Sequence, residues 1–312
     1  MTERGHVLVT GGSGFVGSAI VRELLAHGFR LRLAVRDPRQ AASLGDTVSA
    51  AVIGDLAEPV DWSRHLEGID AVVHAAGLAH AETKSAAKQL FKVNAEATDR
   101  LMQAARRAGV RQAVYISSVR AVTGTRCDDL VVEDRVPQPT NDYGRSKLDG
   151  ERAVAASGLS GTILRPPLVH GANVRGNLAL LARAAALPLP LPLGGLTAPR
   201  SIVSDRNLAS AVAHVLEQPP DGLVTALIAD ASPLTATEIV TLLRRSLGRN
   251  PGLIAAPGPL SLLFAAVNRR QHWDSLAGRL ELAPARLAAT GWRPVESSDA
   301  GLARTMRAIQ GS

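Results

Sequence analysis

Tyr143 and Lys147 stand four residues apart in Tyr143-Gly-Arg-Ser-Lys147. On a helix that spacing sets both side chains on one face. An ammonium beside a phenol stabilises the phenolate and lowers the phenol's pKa. Tyr143 would then serve as a general base or acid near neutral pH, and Lys147 would also reach the ribose of a bound nicotinamide nucleotide. Alone, the pair equally describes an ordinary helix surface. Two further features converge with it. Ile116-Ser117-Ser118 closes an apolar run and offers a hydroxyl to a substrate oxygen. Gly11-Gly-Ser-Gly14-Phe15-Val16-Gly17 follows the run Val7–Thr10 and precedes a helical pattern. Gly11 suits the tight turn, Gly14 the close approach of backbone to a pyrophosphate, and Gly17 the packing of helix on strand. The helix opening at Phe15 and Val16 presents free N–H groups to that anion.

A second contact with such a nucleotide falls at the end of the next strand, which reads Val35-Arg36-Asp37. A carboxylate there binds a ribose 2′-hydroxyl, and an arginine suits a 2′-phosphate. Arg36 leans towards NADP, while Asp37 keeps NAD open.

These groups need a scaffold, and the first half supplies one in its pattern. Strands are predicted at His6–Thr10, Leu31–Val35, Ala51–Ile53, Ile69–His74, Gln112–Ile116 and Gly161–Leu164. Helices are predicted at Phe15–His27, Asn94–Ala108 and Tyr143–Ala156, the first from apolar residues at Val16, Ile20, Val21, Leu24 and Leu25. Strands alternating with helices imply an α/β fold with a doubly wound parallel sheet of Rossmann type. Ligands on such sheets lie beyond the carboxyl ends of the strands. The second half is less regular: a proline-spaced stretch at Pro188–Pro192, helices at Asn207–Leu216 and Thr237–Leu247, and a strand at Leu223–Ala229. Thr235 with Glu238 forms a capping-box signature.

Composition bounds the function. Hydrophobic residues make up 46% and charged residues 20% of the 312, which predicts a folded globular chain. The single Cys127 excludes an internal disulfide and fits a reducing, cytoplasmic compartment. A strand pattern starts within seven residues of Met1, leaving no room for a signal peptide. The uncharged stretches are broken by proline and glycine, so no spanning helix is expected. The charge is +7, but the basic residues are dispersed and aromatics are only 3%, which argues against nucleic-acid binding. No two histidines stand at metal spacing, so no metal is expected. His74 is expected to be buried on its strand, and His80 to follow the cofactor loop. Lys84, Lys88 and Lys92 form a solvated helix stripe. Leu260–Val267, ahead of Arg269-Arg270, is an apolar segment suited to a membrane surface or to a partner.

TGGSGFVG at 10–17, HAAG at 74–77, SS at 117–118 and YGRSK at 143–147 resemble the extended short-chain dehydrogenase/reductase superfamily in order and spacing. RPPLVHG at 165–171, GNLALL at 176–181, LPLGG at 191–195, RSIV at 200–203 and GWRP at 291–294 resemble its nucleotide-sugar branch, and more narrowly bacterial UDP-N-acetylhexosamine 4-epimerase-like proteins. The resemblance implies a dinucleotide-binding domain over 1–165. It implies a mainly substrate-binding domain over 166–312, with segments at about 200–230 returning to the first domain. Gly11, Gly14 and Gly17 would line the pyrophosphate, Asp55 in Gly54-Asp55-Leu56 would bond the adenine amine, and Ala75, Ala76 and Gly77 would pass beside the cofactor. Ser118, Tyr143 and Lys147 would form the catalytic set; Ser118 is preferred to Ser117 because it lies 25 residues before Tyr143. Pro166 would flank the nicotinamide, and Asn177 and Arg200 would hold the substrate, with Arg200 on a diphosphate. A homodimer through the helices at 94–108 and 143–156 is implied as well, and so is a lid helix over the substrate at Leu260–Val267. The sequence departs from the pattern after the double serine, at Val119–Gly124, where lysine and asparagine are usual, and at Val35 and His170.

The leading expectation is therefore a nucleotide-sugar 4-epimerase acting through transient hydride transfer to bound NAD. Two alternatives stand beside it: an NADP(H)-dependent ketoreductase or dehydrogenase, motivated by Arg36, and a nucleotide-binding redox sensor without catalysis.

Overall fold

The computed structural model describes residues 4–39, 48–79, 83–174, 176–255, 274 and 277–311. The expected lid segment Leu260–Val267 and His80 lie outside these. Seven strands form the central sheet: β1 (Arg4–Thr10), β2 (Phe29–Val35), β3 (Val48–Val52), β4 (Ala71–His74), β5 (Gln112–Ile116), β6 (Ser160–Arg165) and β10 (Leu223–Leu227). Their order is β10-β6-β5-β4-β1-β2-β3, and every neighbouring pair is parallel. The chain winds outward from β1 in both directions, so the order reverses between β1 and β4. This is the Rossmann-type doubly wound sheet, and the reversal marks its ligand crevice.

The residues explain the layers. In β1, Val7 and Val9 face one side and Leu8 the other, all buried, as a strand covered on both faces requires. On the first face, α1 (Phe15–Ala26) buries Ile20, Val21 and Leu24. On the other, α3 (Ala97–Arg107) buries Leu101, Met102 and Ala105 beside Val154 of α4 (Asp142–Ala156). Gly28 and Gly109, at φ +79° and +77°, turn the chain out of α1 and α3.

The helix predicted at Asn94–Ala108 begins earlier. It starts as α2 (Lys84–Phe91), with Thr83 capping, and passes through a π turn at Lys92–Glu96 before α3. Lys88 and Lys92 are exposed, as a solvated stripe requires.

The second half builds a smaller unit. Two short parallel pairs, β7 (Leu168–His170) with β9 (Ile202–Ser204) and β8 (Leu191–Gly194) with β11 (Leu253–Ala255), accompany α5 (Gly176–Ala186) and α7 (Ala236–Arg245). Leu178, Leu181, Val240 and Leu243 pack there with Leu302 and Met306 of α9 (Ser298–Gln310), while α8 (Arg286–Ala289) is a single turn. Two segments return to the first unit: α6 (Asp205–Glu217) packs on α1, and β10 extends the sheet beside β6.

Candidate active site

The carboxyl ends of β1, β4, β5 and β6 meet at one edge, and the sequence-predicted residues gather there. Thr10 ends β1. Gly11 then takes φ +71°, and a Cβ on it would lie 2.5 Å from the Ala76 nitrogen. A Cβ on Gly17 would lie 2.0 Å from the Gly11 carbonyl oxygen, so the helix sits directly on the turn. Gly14 caps α1 in extended backbone, and among the described residues no side-chain cap bonds the start of this helix. An uncapped, glycine-cleared helix start is what a pyrophosphate requires, so the chain's own geometry fits a dinucleotide.

Ala75, Ala76 and Gly77 leave β4 alongside this turn. The Ala75 N–H donates to the Thr10 carbonyl at 3.2 Å and that of Ala76 to the Thr10 hydroxyl at 3.3 Å. Beneath them His74 is fully buried, with Nδ1 2.5 Å from Thr10 Oγ1 and Nε2 2.9 Å from Thr98 Oγ1. Burial and the nearby Lys147 charge push its pKa down to about 3. Asn94, in the π turn, bonds both the N–H and the carbonyl of Leu78 at 2.8 Å and reaches Ser146 Oγ at 3.0 Å. The sequence reading missed Asn94; an amide inside an otherwise helical stretch, where its propensity is poor, was the available signal.

The double serine divides its work. Ser117 donates to Glu151 at 2.5 Å, and Arg165 clasps the same carboxylate at 2.9 and 2.6 Å. Ser118 accepts from the Arg120 N–H at 3.1 Å and lies beside the Tyr143 phenol, favouring its ionised form. Ser118 is thus the hydroxyl facing the phenol. Asn141 caps α4 through the Gly144 N–H at 2.9 Å, which fixes Tyr143 in the helix's first turn.

Lys147 differs from expectation. Its ammonium donates to the Ile116 carbonyl at 2.6 Å and lies 4.4 Å from the centre of the Tyr115 ring. Burial lowers its pKa to about 7, against the pull of Glu151. Burial raises the Tyr143 pKa above its ordinary value, and Ser118 and Arg120, not Lys147, are the groups that pull it back towards the phenolate. The reason is geometric: β5 ends with its carbonyl turned to α4, and that carbonyl captures the ammonium. Lys147 still borders the cofactor side, since a Cβ on Gly77 would lie 3.6 Å from its Nζ.

Of the remaining predicted residues, Pro166, Arg36 and Asp55 follow the ends of sheet strands, and Asn177 and Arg200 belong to the second half. Pro166 is buried after β6, and its carbonyl accepts from Val119 at 2.9 Å. Arg36 is exposed at the end of β2, while the Asp37 carboxylate turns to Arg39 at 2.9 Å. Asp55 is exposed past β3 and accepts from the Ala57 N–H at 2.9 Å; the adjacent Leu56 is half-buried. Asn177 is half-buried in the first turn of α5. Arg200 is buried, and its guanidinium bonds the carbonyls of Thr125, Asp274 and Gly278. Its fork is therefore occupied by backbone. Among the described residues, no cluster of three or more His, Cys, Asp or Glu could hold a metal ion, and no helix is long and apolar enough to cross a membrane.

A glycine-cleared helix start beside a half-buried Tyr and a buried Ser and Lys on a doubly wound sheet defines a nucleotide-dependent enzyme of the short-chain dehydrogenase/reductase type. Residues 7–226 match the NAD dependent epimerase/dehydratase family, and the chain belongs to it. A "UDP-glucose 4-epimerase" of Vibrio cholerae is 29% identical over 97% of this chain and 95% of its own length. A "Ceramide reductase" of Caulobacter vibrioides is 32% identical over 93% of this chain and 86% of its own. The structure of MoeE5 in complex with UDP-glucose and NAD superposes with a TM-score of 0.77 at 25% identity, covering 98% of this chain and 99% of that one.

Proposed function

We propose that the chain is a nucleotide-sugar 4-epimerase acting on a UDP-hexose or UDP-N-acetylhexosamine. The observation that carries this reading is Ser118, just past β5, beside the Tyr143 phenol in the first turn of α4, with Lys147 bordering Gly77. The end-to-end match with the Vibrio epimerase supports it. Gly11, Gly14, Phe15, Val16 and Gly17 hold the pyrophosphate; Asp55 and Leu56 border the adenine; Ala75, Ala76, Gly77, Lys147 and Pro166 border the nicotinamide riboside. Bound NAD supplies a hydride acceptor that afterwards returns the hydride. Tyr143 takes the proton of the sugar's 4-hydroxyl and gives it back after the sugar has turned over, and Ser118 donates to the same oxygen. Asn177 and Arg200 border the sugar nucleotide. A homodimer through α3 and α4, in the cytoplasm, belongs to the same reading.

The test is incubation with UDP-glucose and UDP-N-acetylglucosamine. Interconversion at the 4-position without net NADH formation is expected. No interconversion of any UDP-hexose or UDP-N-acetylhexosamine would overturn the reading. A second reading, an NADP(H)-dependent reductase of a non-sugar carbonyl, is favoured by Arg36 standing exposed while Arg39 occupies Asp37, and by the Caulobacter relative. Stoichiometric NADPH consumption with a ketone, and Arg36→Glu reversing the cofactor preference, would establish it.

A further inference from the structure

Arg120 follows the double serine, and its backbone is clamped. Its N–H donates to the Ser118 hydroxyl at 3.1 Å, the flanking Ala121 N–H donates to the Ser118 carbonyl at 3.0 Å, and Val119 donates to Pro166 at 2.9 Å. Opposite, Gly144 has no space for a side chain, since a Cβ there would lie 2.2 Å from the Arg120 carbonyl oxygen. The first turn of α4 therefore sits on this residue, and the guanidinium is delivered beside Tyr143 by a rigid turn.

Among the described residues no carboxylate pairs with this guanidinium. Its Nη1 is shut off from solvent and has no hydrogen-bond partner among the described residues. The groups within its electrostatic reach are the Tyr143 phenol and a second cation, Arg200. The buried acids Glu151 and Glu133 are engaged by other groups: Glu151 by Ser117 and Arg165, Glu133 by the N–H groups of Ala285 and Arg286. An unpaired, partly desolvated cation facing another cation is unfavourable in itself. It becomes favourable once a ligand brings an anion, and a guanidinium fork matches the paired oxygens of a carboxylate or phosphate. Arg200, with carbonyls of three residues on its fork, is not the open donor; Arg120 is.

We propose that Arg120 anchors the substrate by receiving an anionic oxygen group, a carboxylate or a phosphate, beside the hydroxyl presented to Tyr143. This rests on reading Tyr143 as the group that meets the substrate. Two sources carry that chemistry: a carboxylate on the sugar ring, or the diphosphate that links sugar and nucleoside.

The test is calorimetric binding to the full-length, NAD-loaded protein, comparing wild type with R120Q and R120K. The ligands are UDP-glucuronate, UDP-glucose, UDP and inorganic pyrophosphate. R120Q should raise Kd by about tenfold to a hundredfold, the size of a lost charged hydrogen bond, and R120K should recover part of it. Loss confined to UDP-glucuronate assigns the ring carboxylate; equal loss across all four assigns the diphosphate. NAD affinity should not change, and the R120Q melting temperature should equal or exceed that of wild type, because an unpaired charge is removed. A fall of several degrees, or failure to fold, would show the guanidinium tied into the fold and overturn the proposal. Equal Kd values in wild type and R120Q would overturn it and leave the epimerase reading intact. Binding of pyrophosphate through Arg120 without binding of any UDP compound would support the anion site and sink the epimerase reading. No binding of any ligand overturns both.

Discussion

Tyr143 and Lys147 share a helix face, yet their environments separate their roles. The phenol feels Ser118 and Arg120, while the ammonium sits on the Ile116 carbonyl and over Tyr115. On the proposed mechanism, replacing Tyr143 with Phe removes the proton-transfer group and little packing, so activity should fall at least about a hundredfold, with the thermal midpoint nearly unchanged. Steady-state assay and a melting curve on the same preparation check both. His74 gives a pH signature. Its folded pKa of about 3 lies below its ordinary 6.5, so its contribution to stability is full above pH 6.5 and is lost as pH falls towards 3. In His74→Gln the loss of stability between pH 7 and pH 4 should shrink by up to about 3 kcal/mol, read from denaturant midpoints. The shared face of Tyr143 and Lys147 was legible in the sequence because a helix converts a spacing of four residues into one face. Asn94 and Arg120 were not, because their meaning depends on loops that meet only after folding.

The glycine turn and α1 form the element on which the proposed dinucleotide site rests. Gly17→Ala would set a methyl group 2.0 Å from the Gly11 carbonyl oxygen, which is backbone and cannot swing aside. The helix must shift, at about 1–3 kcal/mol, and its amino end leaves the pyrophosphate. Thermal unfolding with and without NAD checks this: wild type should gain stability from the ligand, and the variant should gain little. Thr235 offers a contrasting element in the second half. Its hydroxyl accepts from the Glu238 N–H at 3.1 Å and the Glu238 carboxylate returns to the Thr235 N–H at 2.8 Å, a closed capping box. Thr235→Ala should cost about 1 kcal/mol and leave kcat unchanged. Elements with strong periodicity and punctuation, such as α1 before Gly28 or β1 before Gly11, could be read directly. The three-residue strands β7, β9 and β11 carry no period, and the π turn at Lys92–Glu96 looks like helix in any hydrophobic pattern.

Across the whole molecule, the two halves depend on each other. Leu208 and Val212 of α6 are fully buried against the side of the sheet that carries Ile20 and Leu24 of α1, and β10 pairs with β6 from Leu223↔Gly161 to Leu227↔Arg165. The return of the chain was legible only as a resemblance, because nothing local in α6 or β10 names its distant partner. A fragment of residues 1–165 would expose that face of α1 and leave the edge of β6 unpaired, a template for aggregation. The second half has its own buried tie: Asp230 holds His170 at 2.8 Å and the Asn207 amide at 2.7 Å, and Ser298 adds a bond at 2.8 Å. Through Asn207, whose oxygen accepts from Val295 at 2.8 Å, the tie fastens α6 to the segment leading into α9. The fragment should therefore lack a cooperative melting transition and associate at micromolar concentration, whereas the full chain should melt in one step. Circular dichroism and sedimentation of the two proteins decide it: a monomeric fragment with a sharp transition would show that the first half folds without the strand and helix contributed by the second.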